Sequence, residues 1–536
     1  MMHCVRRRSF ISFALLFFLA QFSFAATAIT PNTTLAAQTG NNSSAANSFA
    51  AQSNGNLGAG NVSKVDVHSL LYSGQKVPIY AHFMGWFGGS NHMNVGYNSA
   101  DPAQVKRQVT DMMSRGINGA ILDWYGPSHA GENNTALALK TEAQSRSGFV
   151  FAIMEDAGAL SACAKSGCNV TNQLISDLKY IYSNYENSPA YMKVNGQPVV
   201  FFFGVEQYSI NWNTVKANVP GNPRFVFQNS SGFSHSQSQG AYSWVMINTS
   251  NANDWEQNYL SNFYLTSFSF GPSSTFATTY KGFNDKYAGW TQHRVVNQNC
   301  GETWVNTWKE INQHFSTAKP LDALQLVTWN DYEEATELET GIDNCVSVNG
   351  WITGSTLNWQ ISGTASMVHH YTLYISKDGK NLMSLGDVPT GQRSLNLAPF
   401  AFSSGTYTVY VQAVGLPSMK NHMSAAVEYT VSSSAASVPT PTPAPVPVPT
   451  NATGVTVQSP ANNSTTASPV HVVASASAPS GIAAIRIYVD NVGVYTVNAS
   501  GVNTGITVSK GRHYIVVQAW DNKGQVYKTP LNITAQ

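Results

Sequence analysis

Asp331 and Glu334 stand three apart just after the apolar run Leu324-Gln325-Leu326-Val327-Thr328. That run fits a buried strand. Asp331, Glu333, Glu334, Glu337 and Glu339 crowd its C-terminal end, in a chain where only 11% of residues are charged. Carboxyls placed against an apolar strand are costly unless they are solvated, paired or used. If the chain turns helically there, Asp331 and Glu334 share a face, with Cβ atoms about 5–6 Å apart. Two carboxyls on one wall of a cleft suffice to hydrolyse a glycosidic bond. One protonates the leaving oxygen, and the other activates water or attacks the sugar carbon. In that chemistry Glu334 is the general acid, with a raised pKa, and Asp331 is the ionised base or nucleophile. Glu333, out of phase, faces away. The same stretch also reads as a solvated acidic turn at a helix N-terminus, where the dipole favours acids.

Such a pair needs a frame. Strand-like apolar runs recur at 77–83, 119–123, 149–155, 199–204, 224–228, 244–248, 278–283 and 324–330. Several lack polar alternation, as strands covered on both faces do. Between the first two, Asp101-Pro102 opens a helix with Val105, Val109, Met112 and Met113 on one face, and Gly116 closes it. A second helix fits 171–185, with Leu174, Leu178 and Ile181 inward. Eight strands alternating with helices over roughly 270 residues predict a (β/α)8 barrel, whose active sites lie at the C-terminal strand ends. Those ends carry His82, Asp123-Trp124-Tyr125, Glu155-Asp156, Glu206, Gln228-Asn229, Asn248 and Asp285, and finally Trp329 to Glu334. His82 is a candidate for bonding a sugar hydroxyl, and Asp123 and Glu155 for bonding hydroxyls or tuning the pair's pKa values by like-charge coupling, with Glu206, Gln228, Asp285, Trp329, Asn330 and Tyr332 on the same rim. Trp86, Trp124, Tyr125 and Trp290 are candidates for stacking on pyranose faces. Each also has a plain structural reading, as a satisfied core histidine, a capping acid or a packed tryptophan.

The formal net charge of +1 recruits no nucleic acid over distance, and 12 Trp and 24 Tyr beside few charges suit a neutral polymer. Arg6-Arg7-Arg8, the apolar stretch from Phe10 to Phe24, and Ala26-Thr27-Ala28 have the form of a signal peptide over residues 1–28. The apolar stretch is short for a membrane span of about 20 residues. The expected location is therefore outside the cell or in the periplasm, with no membrane attachment after cleavage and a monomeric state. Cys4 leaves with the signal, and Cys163, Cys168, Cys300 and Cys345 remain. In an oxidising compartment, locality pairs Cys163 with Cys168 and Cys300 with Cys345. The spacing lacks a C-x-x-C pair, so no metal site is expected, and no Gly-rich loop after a strand suggests a nucleotide. No cofactor is expected.

Changes of texture divide the rest. Residues 29–65 are a low-complexity spacer, and 66–347 form the barrel. Residues 348–433 alternate in short strands such as LNWQIS and TYTVYVQAV and predict a fibronectin III or immunoglobulin-like sandwich. A Pro/Thr linker at 434–453 precedes a second all-β module at 454–536, which resembles the bacterial immunoglobulin-like modules of secreted hydrolases. With no evident row of exposed aromatics, both modules read as spacers. The shift near Cys345 predicts a barrel that folds and works without them.

The motif Thr328-Trp329-Asn330-Asp331-Tyr332-Glu333-Glu334 resembles the last-strand motif of glycoside hydrolase family 71, the mutanases or endo-1,3-α-glucanases. Ala81-His82-Phe83-Met84 resembles that family's first-strand motif, and Gly116 to Asp123 its second-strand region. The arrangement is also similar to family 99, the endo-α-mannosidases and mannanases. The resemblance spans about residues 67–345 and departs at Glu333, where family 71 usually has Gly, and after Glu334. It implies a retaining or inverting hydrolase of α-linked polysaccharide, with Asp331 and Glu334 as the catalytic carboxylates. The substrate it implies is 1,3-α-glucan, or α-mannan in the manner of family 99. A cell-surface carbohydrate-binding protein without catalysis is the remaining alternative, and the presence of both acids argues against it.

Overall fold

The computed structural model describes residues 61–72, 77–89, 91–271, 273–286, 288–378, 382–400, 402–432, 453–489, 492–497, 499–523 and 525–536. The signal peptide, nearly all of the spacer, and the linker through Ala452 lie outside the described residues. Eight parallel strands close into a barrel: β1 (Ile79–Met84), β2 (Gly119–Trp124), β3 (Val150–Asp156), β4 (Gln197–Phe203), β5 (Arg224–Gln228), β6 (Gly240–Tyr242), β7 (Ser274–Thr279) and β8 (Ala323–Leu326). The ring shuts where Ile79 of β1 pairs with Leu324 of β8. Parallel neighbours need crossovers. These are α1 (Pro102–Ser114), α2 (Ala130–Gln144), α3 (Ala157–Ser166) with α4 (Val170–Ile181), α5 (Trp212–Asn218), α6 (Gln257–Ser267) and α7 (Glu302–His314). The link from β5 to β6 is too short for a full helix and holds a single 3-10 turn, Ser230–Ser234.

Helix α1 forms as its sequence directs. Asp101 Oδ1 accepts the Ala103 N–H at 2.9 Å, Pro102 starts the first turn, and Val105, Val109 and Met112 are buried. Helix α4 buries Leu174, Leu178 and Ile181 but ends sooner than its pattern predicts, and Tyr182–Glu186 continues as a π-turn. Three strands also differ from the apolar runs. β6 occupies 240–242 rather than 244–248, with the backbones crowded at Gly240. A Cβ on Gly240 would meet the Ser274 carbonyl oxygen at 2.6 Å. β7 occupies 274–279 rather than 278–283, and its buried Ser and Thr residues give no apolar signal. β8 stops at Leu326 rather than Asn330.

Beyond Cys345, two sheets, Ser347–Thr353/Thr356–Ser362/Ser394–Asn396 and a larger one built on Val368–Ser376 and Gly405–Gly415, make a first β-sandwich. A second sandwich runs from Gly454 to Ala535, with its own core of Val472, Ile485, Ile487, Ile515 and Val517. Alternation of buried and exposed residues along Val470–Ser477 shows the one-sided packing of such strands.

The first sandwich is fastened to the barrel. Its 415–421 loop sets Met419, fully buried, against Gly301, where a Cβ would lie 2.6 Å from the methionine Cε. The Ile342 N–H donates to Ser418 O at 2.9 Å, the Lys420 N–H to Ile342 O at 2.8 Å, and Trp304 Nε1 to Pro417 O at 3.2 Å. One apolar cluster runs through both units. The disulfides Cys163–Cys168 and Cys300–Cys345 are both formed, the second joining the start of α7 to the segment after β8.

Two stability outcomes follow from these contacts. A chain ending at Val348 uncovers Ile342 and leaves the Trp304 N–H without its acceptor. Its barrel is expected to melt on the order of 5 °C or more below the full chain. Equal barrel melts would mean that the barrel is autonomous after all. Opening Cys300–Cys345, which closes a separation of 45 residues, is expected to cost about 3–4 kcal/mol in the chain-entropy account. Melts with and without reductant, in a Cys163→Ser/Cys168→Ser background, read this directly, and coincident curves would refute it.

Candidate active site

The segment after β8 leaves the sheet and folds into one tight turn rather than a helix. Asp331 heads it. Its Oδ1 accepts the backbone N–H groups of Glu333 and Glu334, each at 3.0 Å. Its own N–H donates to Thr328 Oγ1 at 2.8 Å, and its carbonyl accepts the Thr336 N–H at 3.1 Å. The turn is pinned on both sides. Asn330 uses its amide as a strand would use its backbone, accepting the Met84 N–H at 2.8 Å and donating to Met84 O at 3.0 Å. Below, Arg115 lies fully buried, donates to Leu338 O at 2.6 Å and Glu339 O at 2.8 Å, and stacks its guanidinium 4.8 Å from the Trp329 ring centre.

Asp331, Glu333 and Glu334 open into a cleft of about 870 Å³ on the C-terminal rim. Trp86, His92, Asp123, Tyr125, Asp156, Tyr208, Gln228, Asn229, Trp244, Trp290 and Arg294 also line it. Of the residues expected on the rim, Trp86, Asp123, Tyr125, Gln228, Trp290, Asp331 and Glu334 therefore share one space. The others lie elsewhere. His82 is fully buried inside the barrel, with Nε2 2.8 Å from Gln325 Oε1, and burial lowers its pKa to about 4, so it stays neutral. Trp124 faces outward and donates from Nε1 to Asn133 at 3.2 Å. Glu155 is buried on the helix side beside Asp177. Glu206 is exposed and does not line the cleft. Asp285 is buried, with Oδ2 held by Arg294 Nε at 2.8 Å. Trp329, Asn330 and Tyr332 support the turn from behind, Tyr332 through a 2.7 Å bond from its hydroxyl to Glu339.

The charges in the cleft explain its protonation. Burial raises Asp331 to about 7, against the pull of its two N–H donors. An always-ionised Asp331 is thus too simple an expectation. Burial, and then the charge of Asp331, lifts Glu334 well above the ordinary glutamate range, with Arg294 offsetting part. Burial and the charges of Asp156, Asp331 and Glu334 do the same to Asp123. Asp156 is raised by burial to about 6, although it caps α3 by accepting the Gly158 N–H. Four acids in one desolvated space share protons near neutral pH, so one can donate while another stays charged. Glu333 does not face away as the alternation predicts. It lines the same cleft, yet its carboxylate is held by His92 Nδ1 and the Met93 N–H, each at 3.0 Å, which keeps its pKa low despite burial.

Sequence reading placed Asp156 on the rim without giving it a role, and missed Trp244, His92 and Arg294 as cleft residues. Asp156 was visible as the acid beside Glu155. The others sit in loops, where no periodicity marks which side chain turns inward. Among the described residues no cluster of His, Cys, Asp and Glu is arranged to hold a metal ion.

Two carboxyls after the last strand of a (β/α)8 barrel are an arrangement suited to hydrolysing a glycosidic bond. Residues 78–338 match the model of glycosyl hydrolase family 71, which marks the barrel as that of a glycoside hydrolase. Residues 454–517 match the bacterial Ig domain model. Among curated proteins no relative matches the chain. Among solved structures, the GH99 endo-alpha-mannosidase from Bacteroides thetaiotaomicron is 14% identical, covering 49% of this chain and 86% of its own, with a TM-score of 0.39. A beta-glycosidase from Bacteroides vulgatus is 10% identical, covering 85% of this chain and 63% of its own, with a TM-score of 0.29. At these scores the likenesses say nothing of this chain's substrate.

Because Asp123, Asp156, Asp331 and Glu334 are all raised in the folded state, folding binds their protons more tightly. The stability this adds is full below about pH 4, where the unfolded carboxyls also hold protons. It is lost as pH rises through the folded values of about 6 and 7. The Tm is expected to fall between about pH 5 and pH 8, and to fall less in Asp331→Asn. A Tm that climbs over that interval would overturn this account of the cleft.

Proposed function

We propose that the chain is a secreted, endo-acting hydrolase of 1,3-α-linked glucan, with Glu334 as general acid and Asp331 as base or nucleophile. The observation that carries this reading is the pair itself. Two carboxyls at the last strand end open into one cleft, and Glu334, beside a neighbouring acid, holds its proton the more tightly. Glu334 gives that proton to the glycosidic oxygen as its bond to the anomeric carbon breaks. Asp331, ionised, faces the positive charge that develops on the sugar and either attacks the anomeric carbon or deprotonates the incoming water. Asp123 and Asp156 take sugar hydroxyls in this reading. Trp86 and Trp290 offer flat apolar faces, Trp290 with 49% of its surface exposed. A wall so rich in carboxyls disfavours anionic glycans and suits a neutral one.

The 1,3-α linkage rests on the likeness of residues 328–334 to the family 71 motif. Secretion rests on the form of residues 1–28, and two disulfides accord with an oxidising compartment.

A panel of 1,3-α-glucan, 1,4-α-glucan and α-mannan, with reducing-sugar release and product sizing, tests the substrate. Expected is cleavage of 1,3-α-glucan to oligosaccharides, with kcat lowered on the order of 10²–10⁴ in Asp331→Asn and in Glu334→Gln. Cleavage of α-mannan alone would move the substrate to the family 99 kind. Wild-type rates in both variants would place the chemistry elsewhere on the barrel, and a folded protein that binds but cleaves nothing would be a carbohydrate-binding protein.

A further inference from the structure

Glu333 sits between the two acids in sequence, yet both its oxygens are committed to a different part of the molecule. Oε1 accepts the Met93 N–H at 3.0 Å and Oε2 lies 3.0 Å from His92 Nδ1. Met93 and His92 belong to the long loop between β1 and α1, which brings Trp86 and His92 to the cleft. Among the described residues, these two contacts are the hydrogen bonds that tie the stretch from Gly88 to Asn94 to anything outside its own loop. That stretch contains Gly88 and Gly89, which lower its intrinsic stiffness. His92 in turn stacks on Trp86, with ring centres 5.2 Å apart and planes 20° from parallel. Trp86 meets Tyr125 edge to face at 5.9 Å. All three rings line the cleft.

We propose that Glu333 is a positioning residue that latches the β1–α1 loop to the catalytic turn and so presets the Trp86–His92 stack as a sugar-binding platform. The inference rests on the glycan-cleaving reading of the same cleft. An aromatic face strengthens binding most when its position is held before the sugar arrives, because a loose one must be ordered at the expense of affinity. The latch is separable from the backbone of the acid turn. The Glu333 charge also helps to raise Asp331 and Glu334, so variants are compared each at its own pH optimum. Asp331 is held by the backbone N–H groups of Glu333 and Glu334, which any side chain at 333 retains. Removing the Glu333 carboxylate therefore loosens the platform and leaves the acid turn formed. The loss falls on KM.

Two measurements test this. Hydrogen exchange at the Met93 amide needs no substrate. Glu333→Ala is expected to speed it by on the order of 10-fold or more while the amides of β8 keep their protection, and Glu333→Gln, which keeps one acceptor, is expected to be intermediate. Kinetics on the best soluble oligosaccharide form the second arm. Glu333→Ala and Trp86→Ala are each expected to raise KM about tenfold, with kcat within about threefold. The double variant is expected to be no worse than the weaker-binding single variant, since both remove one platform. KM effects that multiply, a loss confined to kcat, or a Met93 amide still protected in Glu333→Ala would each overturn the latch. If instead Asp331→Asn and Glu334→Gln keep full rates, the reading of the cleft falls. The exchange result then still decides whether the tether exists, and the platform claim falls with that reading.

Discussion

Four carboxyl groups, Asp123, Asp156, Asp331 and Glu334, crowd one cleft, the first three buried and Glu334 half-buried, with Arg294 as a lining cation. Desolvation opposes each charge, and each charge opposes the next. Most of the local architecture answers that constraint. Asp331 and Asp156 are met by backbone N–H groups, which neutral dipoles supply without adding another titratable group. Arg294 is itself anchored by Asp285, so its positive charge stays at the rim instead of collapsing onto Glu334. The remaining charge is managed by protons, which burial and neighbouring charges hold on the acids.

A turn that carries such repulsion needs a rigid mount. Trp329, fully buried, lies against the Arg115 guanidinium, and that guanidinium also bonds the two carbonyls through which the chain returns from the turn. Glu339 draws in the hydroxyls of Tyr97 and Tyr332 and the amide of Gln108. Asn330 replaces a missing strand pairing beside Met84. Rigid elements reach the turn from β1, α1 and β8, so the acids are held by the barrel wall and not by a free loop.

The same segment continues into contacts that reach past the barrel. Ile342 and Cys345 tie it to the 415–421 loop of the first sandwich and to the start of α7. The sandwich is thus part of what holds the far end of the acid-bearing segment. The second sandwich, with a separate core, is not part of that cluster.

Much of this was legible in the residues. The number of strands, the cap and apolar face of α1, the disulfide partners and the place of Asp331 and Glu334 all follow from local pattern: periodicity, capping chemistry and spacing act within a few residues. Which rim residues enter the cleft does not. Tyr125 and Asp156 turn in while Trp124 and Glu155 turn out, because adjacent residues of a strand face opposite ways and the barrel's pairing sets the phase. At a strand end where both neighbours are polar or aromatic, the sequence carries no sign of that phase. β6 and β7 were misplaced for a different reason: they are short or rich in buried Ser and Thr, with a close backbone approach at Gly240, and so give no apolar run. Arg294, Trp244 and His92 reach the cleft from loops, and Glu333 finds its partners some 240 residues upstream. Contacts between residues so far apart exist only once the barrel closes and brings its strand ends onto one rim, so the tertiary structure alone decides them.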